Sequence, residues 1–250
     1  RRSSDLERGP DVSFANCGLP YHIGGEIPAR DVLAVQTPQS LKDLLNLKVR
    51  TQCEAIQIDP VGKRLQIKDA LTGQTEWMDY DKLMLSPGAS PIRPPISGIE
   101  DERIFTLRNL QDMDRIIAAA ETGMRAVVIG AGFIGLEMAE NLVHAGVHTT
   151  LLQRGAQVLP PLDADMAAEI HAYLRGQGVE LRLGARVSGF SPQGDGLAVE
   201  LEGGERFPAD LVLLGLCCAA TLYGMALIAS AAFLITLLAL KRHELASIPA

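Results

Sequence analysis

Apolar and polar positions alternate along this chain with two different periods, and the clearest stretch lies in its second half. Arg125-Ala126-Val127-Val128-Ile129 is a short apolar run of the kind required by a strand covered on both faces. Apolar residues then recur at helical spacing over 136–145 and stop at Gly146, a helix-ending residue, before a second predicted strand at 148–153. Strand, helix and strand together make a βαβ unit of about 30 residues. Upstream, Asn109 with Asp112 three residues on predicts an N-cap, and Met113, Ile116, Ile117 and Ala120 continue as a helix. Downstream, Asp163 is expected to cap a helix carrying Met166, Ile170, Tyr173 and Leu174, with strands following at 179–183, 197–201 and 210–214. Earlier in the chain, Leu65, Ile67 and the turn Leu71-Thr72-Gly73 predict a hairpin over 66–85, closed by Lys82-Leu83-Met84-Leu85. The Pro-rich stretch 86–95 interrupts regular structure and reads as a connection between domains.

Composition sets limits on this picture. With 250 residues, 47% of them apolar, the chain has room for about two compact domains. Its 23 basic and 30 acidic residues give a net charge of −7 with no basic stripe, which argues against a nucleic-acid partner. The cysteines at 17, 53, 217 and 218 form no C-x-x-C pair, so neither a disulfide framework nor a metal site is expected and a reducing compartment is the simpler reading. Arg1-Arg2-Ser3-Ser4-Asp5 opens the chain with no methionine and no apolar segment behind it, the pattern of a fragment without a secretory signal. Residues 211–240 contain no Asp, Glu, Lys, Arg or Pro. The run is long enough to cross a bilayer, so 215–242 is predicted as a hydrophobic transmembrane helix followed by a tail at 243–250. Lys241-Arg242 would put that tail in the cytoplasm and the nucleotide-binding part outside, which conflicts with a need for reduced nicotinamide. A core strand plus helix, or a junction foreign to the fold, are the competing readings of the run.

Between the two strands of the βαβ unit lies Gly130-Ala131-Gly132-Phe133-Ile134-Gly135. Glycines at these intervals also occur in surface turns, but here a strand precedes them and a helix follows. Gly130 suits the tight turn, Gly132 the approach of a pyrophosphate and Gly135 close helix–strand packing, while the helix N-terminus offers free N–H groups. The second strand of such a unit normally ends in an acid that holds the ribose of NAD. Here Gln153 and then Arg154 stand in that place, so NADPH is at least as plausible a cofactor as NADH, with a solvated surface charge as the alternative role for Arg154.

Ser13-Phe14-Ala15-Asn16-Cys17-Gly18-Leu19-Pro20-Tyr21-His22-Ile23-Gly24-Gly25 is the most specific string in the chain. A thiol with no second cysteine nearby shuttles between thiolate and a mixed disulfide, persulfide or sulfenic acid. Pro20 suits the first turn of a helix, which would set Cys17 at a positive helix end that favours the thiolate. Taken with Leu6-Glu7-Arg8-Gly9, Ser86-Pro87-Gly88-Ala89 and the Gly130 loop, the string resembles the pyridine nucleotide-disulfide oxidoreductases. The likeness is greatest to their single-cysteine branch of coenzyme A-disulfide reductases, with NADH oxidases and peroxidases as cousins.

The resemblance implies an α/β chain with Rossmann-like FAD- and NAD(P)-binding domains: a partial FAD domain with the redox cysteine at 1–106, an NAD(P) domain at 107–214, and the hydrophobic helix beyond. It makes Cys17 the thiol that attacks coenzyme A disulfide or a related small disulfide or persulfide, with Ser13 and Asn16 lining the coenzyme A site. Glu7 would bind the adenosine ribose of FAD, and Ser86 and Gly88 would lie beside the flavin, although Pro87 departs from the usual Thr. Phe133 would cover the flavin, and Glu137, after Ile134 and Gly135, would stand near the flavin and nicotinamide rings. A cycle through cysteine sulfenic acid, as in an NADH oxidase or peroxidase, and a non-catalytic membrane-tethered nucleotide-binding fragment are the other readings. The likeness also implies a cytoplasmic homodimer, unless the apolar run anchors the chain. The family's first glycine loop for FAD, its later Gly-Asp segment and its dimerisation domain are not found in this sequence.

Overall fold

The computed structural model describes residues 3–216. The expected hydrophobic helix and the tail therefore lie outside the described residues, apart from Gly215 and Leu216. Among the described residues no helix is long and apolar enough to cross a membrane.

The first half is assembled from short pieces. β1 (Ser3–Leu6), β2 (Ser13–Phe14), a 3-10 turn at Asn16–Gly18 and α1 (Leu19–Ile23) come first. A second 3-10 turn at Arg30–Leu33, β3 (Ala34–Gln36), α2 (Pro38–Leu45) and β4 (Leu47–Arg50) follow. β1 pairs in parallel with β4, and β2 antiparallel with β3. β5 (Cys53–Asp59), β6 (Arg64–Asp69) and β7 (Thr75–Asp79) form an antiparallel meander whose small core holds Cys53, Leu65 and Ile67.

The expected hairpin is present as β6 and β7, but 82–85 is not a strand. Met84 and Leu85 are 88% and 66% exposed, and 82–85 pairs with no strand among the described residues. Residues 86–95 carry no regular structure, as the prolines require.

The second half is wound around a parallel sheet. It comprises β8 (Ile104–Phe105), α3 (Leu110–Ala119), β9 (Arg125–Ile129), α4 (Phe133–His144), β10 (His148–Gln153), α5 (Ala164–Gly176) and β11 (Glu180–Leu183). A second antiparallel meander, β12 (Val187–Gln193), β13 (Gly196–Leu201) and β14 (Arg206–Ala209), leads into β15 (Leu211–Leu214). The parallel order is β11-β10-β9-β15-β8. The chain moves outward from β9 to β11 and then returns to the other side of β9, so the winding reverses between β9 and β15. Doubly wound sheets bind ligands at the carboxyl ends of the strands that flank such a reversal.

Asn109 caps α3 as expected, its side chain accepting from Asp112 N–H at 2.8 Å. Asp163 occupies the cap position of α5, but its side chain makes no capping bond. α4 begins at Phe133, three residues before the expected start, because the glycine loop passes straight into the helix. The main core runs from Leu19, Ile23 and Leu33 through Met113 and Ile116 to Met138, Leu142 and Leu151, so α1 shares one apolar interior with α3 and α4.

Candidate active site

At the carboxyl end of β9 the backbone reverses at Gly130, whose φ of +97° suits a residue without Cβ. Gly130 N–H donates to Leu152 O at 2.8 Å and Gly215 N–H to Ile129 O at 2.9 Å, so the loop is pinned to both neighbouring strands. A Cβ at Gly135 would overlap the Gly130 carbonyl oxygen, which makes this the close helix–strand contact expected of the third glycine. A Cβ at Gly132 would meet nothing within 4 Å. The open space stands over the first turn of α4, where the N–H groups of Phe133, Ile134 and Gly135 have no intrahelical acceptors, and so fits a pyrophosphate. Phe133 is 68% exposed beside it.

Gln153 turns back into this loop. Its Oε1 accepts from Ala131 N–H at 3.2 Å and its Nε2 donates to Gln157 O at 3.1 Å. Arg154, the next residue, is exposed.

Cys17 is exposed in the 3-10 turn that leads into α1. α1 has only five residues, so the turn is carried by its packing more than by a helix dipole. Leu19, Pro20 and Ile23 are buried, and at its end a Cβ on Gly24 would overlap Asn141 Oδ1 of α4. That oxygen is buried without a partner, while Asn141 Nδ2 donates to Glu137 O at 2.8 Å. Tyr21 faces the same seam, its phenol held above its ordinary range chiefly by the negative charge of Glu137, then by burial, Glu140, Glu26 and Cys17. Burial first, and then Glu140, push the Glu137 carboxyl up. The thiol of the first half and the carboxylate of the nucleotide helix therefore both act on one phenol. Tyr21 lies inside the Ser13–Gly25 string, where sequence reasoning assigned it no role of its own. His22 Nδ1 donates to Ile27 O at 2.5 Å, a backbone bond within its own turn.

Arg108 is a second residue that sequence reasoning missed. Its Nε donates to Ala89 O at 3.2 Å and its Nη1 to Asn16 Oδ1 at 3.4 Å. One guanidinium thus ties the residue before Cys17 to the loop holding Ser86 and Gly88, both exposed. Ser13 lies in β2, opposite Gln36. Glu7 follows β1, and its carboxylate accepts from Gly9 N–H at 2.7 Å. Among the described residues no hydrogen bond joins it to the Cys17 turn. Glu7 N–H donates to Arg50 O and Glu7 O accepts from Cys53 N–H, both at 2.9 Å, which fixes the acid at the end of β1, and Ser86 and Gly88 are exposed. No group of side chains suited to holding a metal occurs among the described residues.

A glycine loop at the reversal of a doubly wound sheet, with an exposed thiol on the turn before a helix that packs on α4, is the arrangement of a nucleotide-dependent redox protein. The pyridine nucleotide-disulphide oxidoreductase family matches residues 6–218, and the chain belongs to it. It is 37% identical over 191 residues to a coenzyme A disulfide reductase of Staphylococcus aureus (strain JH9), an overlap of 74% of this chain and 43% of that relative. The chain spans under half the length of the curated relatives it matches. The reduced Bacillus anthracis CoADR-RHD crystal structure superposes with a TM-score of 0.81 at 42% identity, covering 85% of this chain and 38% of that one. An engineered NADPH oxidase derived from the water-forming NADH oxidase of Lactobacillus brevis, bound to NADPH, superposes with a TM-score of 0.80 at 31% identity. That overlap covers 84% of this chain and 47% of the oxidase.

Proposed function

We propose that this chain carries the thiol and the nicotinamide site of a flavin-dependent NAD(P)H:disulfide oxidoreductase that reduces coenzyme A disulfide or a related persulfide through Cys17. The observation that carries the reading is the exposed Cys17 on the turn leading into α1, the helix packed against the one that starts at the glycine loop. The S. aureus relative, named as a coenzyme A disulfide reductase, and the B. anthracis CoADR-RHD structure support the substrate class.

Gly130, Gly132, Phe133, Ile134 and Gly135 would hold the nicotinamide dinucleotide, and Glu7, Ser86 and Gly88 parts of FAD. When bound, the two cofactors supply the electron pair that reduces a sulfur–sulfur bond. The chain's own part begins with the Cys17 thiolate attacking one sulfur of the substrate. A bond from Sγ to that sulfur forms as the substrate S–S bond breaks, and the departing thiolate takes a proton from water. Two electrons then return the mixed disulfide to Cys17 thiolate and a second product thiol. Arg108 would keep Asn16 and the 86–89 loop in register, so that the substrate and the flavin face the same sulfur. Glu137 and Tyr21, coupled across the α1–α4 seam, would set the charge around it. Ser13 and Asn16 would line the coenzyme A path.

The oxidase relative bears on the nicotinamide end. Its engineered changes replace a glycine, then 18 positions later an aspartate by alanine, with arginine and serine introduced at the next two positions and a proline exchanged for arginine 7 positions beyond the aspartate. The same intervals in this chain run from Gly135 to Gln153-Arg154-Gly155 and on to Pro160. A neutral residue followed by arginine is thus present at 153 and 154, while Gly135 and Pro160 keep the types that the engineering removed.

A test is to treat the chain with coenzyme A disulfide and locate the adduct by peptide mass spectrometry. One coenzyme A on Cys17 and none in Cys17→Ser is the expected result. A chain that forms no adduct, or forms one only on Cys53, contradicts it. The oxidase relative favours a second reading, in which peroxide converts Cys17 to a dimedone-reactive sulfenic acid while coenzyme A disulfide leaves the thiol unmodified.

A further inference from the structure

Three side chains spaced three residues apart around the start of α3 reach into the first half, and each ends on a segment beside Cys17. Arg108 Nη1 donates to Asn16 Oδ1. Gln111 Nε2 donates to Asp11 Oδ2 at 2.6 Å. Asp114 accepts from Arg30 in a fork, Nε to Oδ1 at 2.9 Å and Nη2 to Oδ2 at 2.8 Å. Residues three apart share one side of a helix, and Gln111 and Asp114 border Leu110 and Met113, which are buried in the core that holds Leu19 and Ile23. The first-half partners bracket the Cys17 turn. Asp11 stands just before β2, which runs directly into that turn. Arg30 opens the 3-10 turn that ends at Leu33, whose carbonyl oxygen accepts from Ala15 N–H at 2.9 Å. A Cβ on Gly18 would overlap Leu33 Cδ2, so this turn and the Cys17 turn are in close contact. The start of α3 is itself fixed, because buried Asp112 accepts from Arg108 N–H at 2.9 Å and from Arg115 Nη2, while Asn109 caps the helix. The chain on both sides of Cys17 is therefore fastened to one helix of the nucleotide half.

We propose that the polar rim of α3 aims the Cys17 sulfur, with Gln111 and Asp114 as positioning residues for its attack on a disulfide. They act through Asp11 and Arg30, the two anchor points of the Cys17 turn. A thiolate must approach a disulfide in line with the departing sulfur, so the rate depends on how the turn is set against the bound substrate. Alkylation by a small, freely diffusing reagent asks only for an accessible thiolate. Loosening the rim therefore slows the first reaction and spares the second. The inference rests on the reading of Cys17 as the nucleophile and adds to it the groups that orient the sulfur.

The test compares two rates in the parent chain, Gln111→Ala, Asp114→Ala and the double variant. One is the release of coenzyme A from excess coenzyme A disulfide, and the other is the alkylation of Cys17 by iodoacetamide, followed by peptide mass spectrometry. Asp210→Asn, which loses the ion pair to Arg125 at the start of β9, is the control for lost stability, with melting temperatures recorded throughout. The double variant is expected to release coenzyme A about tenfold more slowly than the parent, each single variant by a smaller factor, and all three to be alkylated at the parent's rate. Asp210→Asn should release coenzyme A as fast as the parent even where it melts lower. Equal slowing of both reactions shows a general loosening and overturns the inference. Release at the parent's rate in the double variant, or in both single variants where the double does not fold, also overturns it, as does equal slowing in Asp210→Asn. In each of these cases the reading of Cys17 as the nucleophile stands. A parent chain that is alkylated at Cys17 but releases no coenzyme A removes that reading and the inference with it.

Discussion

Gly135 shows how a single residue fixes the site. The space for a Cβ is taken by the Gly130 carbonyl oxygen, so α4 and the turn cannot both keep their places around a side chain. Gly135→Ala is expected to destabilise the fold by about 2 kcal/mol in urea titration, the range seen when a packed contact is overfilled. Glu137 makes a statement about pH. Its carboxyl is held above the ordinary carboxylate range by burial and by Glu140, so the folded state takes up its proton more readily than the unfolded chain. The stabilisation this gives is complete below the unfolded pKa and is lost as pH rises through the folded one. Glu137→Gln should therefore melt higher than the parent at pH 7, with the difference closing as pH falls towards 4. The roles of Gly130, Gly132 and Gly135 could be read in sequence because each depends on its neighbours in the chain. Tyr21 and Arg108 could not, since their partners lie about 20 to 120 residues away and no periodicity reports such a meeting.

Among the elements, those buried by the parallel sheet were legible and those at its margin were not. β9 and β10 read as strands because their apolar runs are covered on both faces, and α3 because its cap and its buried face agree. β12 and β14 escaped notice because Gly189, Pro192 and Pro208 punctuate them like turns, although both pair with β13. The reverse error occurred at 82–85, where an apolar run reads as a strand but Met84 and Leu85 are exposed and unpaired with any strand among the described residues. α5 carries a further prediction. His171 Nε2 accepts from Val158 N–H at 3.1 Å, which anchors the segment after Arg154 to the helix and requires a neutral ring. Burial lowers the affinity of His171 for its proton, with Arg175 adding to the effect. The bond's contribution is present above the unfolded histidine pKa, about 6.5, and declines as pH falls from there towards the lower folded value. The melting temperature should drop between pH 7 and 5.5, and His171→Gln, whose amide oxygen can accept the same bond, should flatten that slope.

Over the whole molecule, paired charges join parts that are distant in sequence. Arg30 meets Asp114 at 2.8 Å across the two halves, and Arg125 at the start of β9 holds Asp210 through its side chain and its own N–H. The arginines hold Asp101, Asp114 and Asp210 below the usual carboxylate range, so their contribution is present at neutral pH and is lost as acid protonates them. Asp210→Asn is expected to cost about 1 kcal/mol at pH 7, and the gap to the parent should narrow below pH 4. The order of the motifs, the Cys17 string before the glycine loop, was visible in the sequence, but their joining was not: the sequence offers no sign that Leu19 and Ile23 enter the same core as Met138 and Leu142. That shared core is what sets the helix after Cys17 against the helix that begins at the glycine loop. The most direct measurement is the count of coenzyme A thiols released per chain on mixing with excess coenzyme A disulfide in the absence of any reductant. One thiol per chain, lost in Cys17→Ser and kept in Cys53→Ser, is the result required by a nucleophilic Cys17. Release that is absent, or that persists in Cys17→Ser, would contradict it.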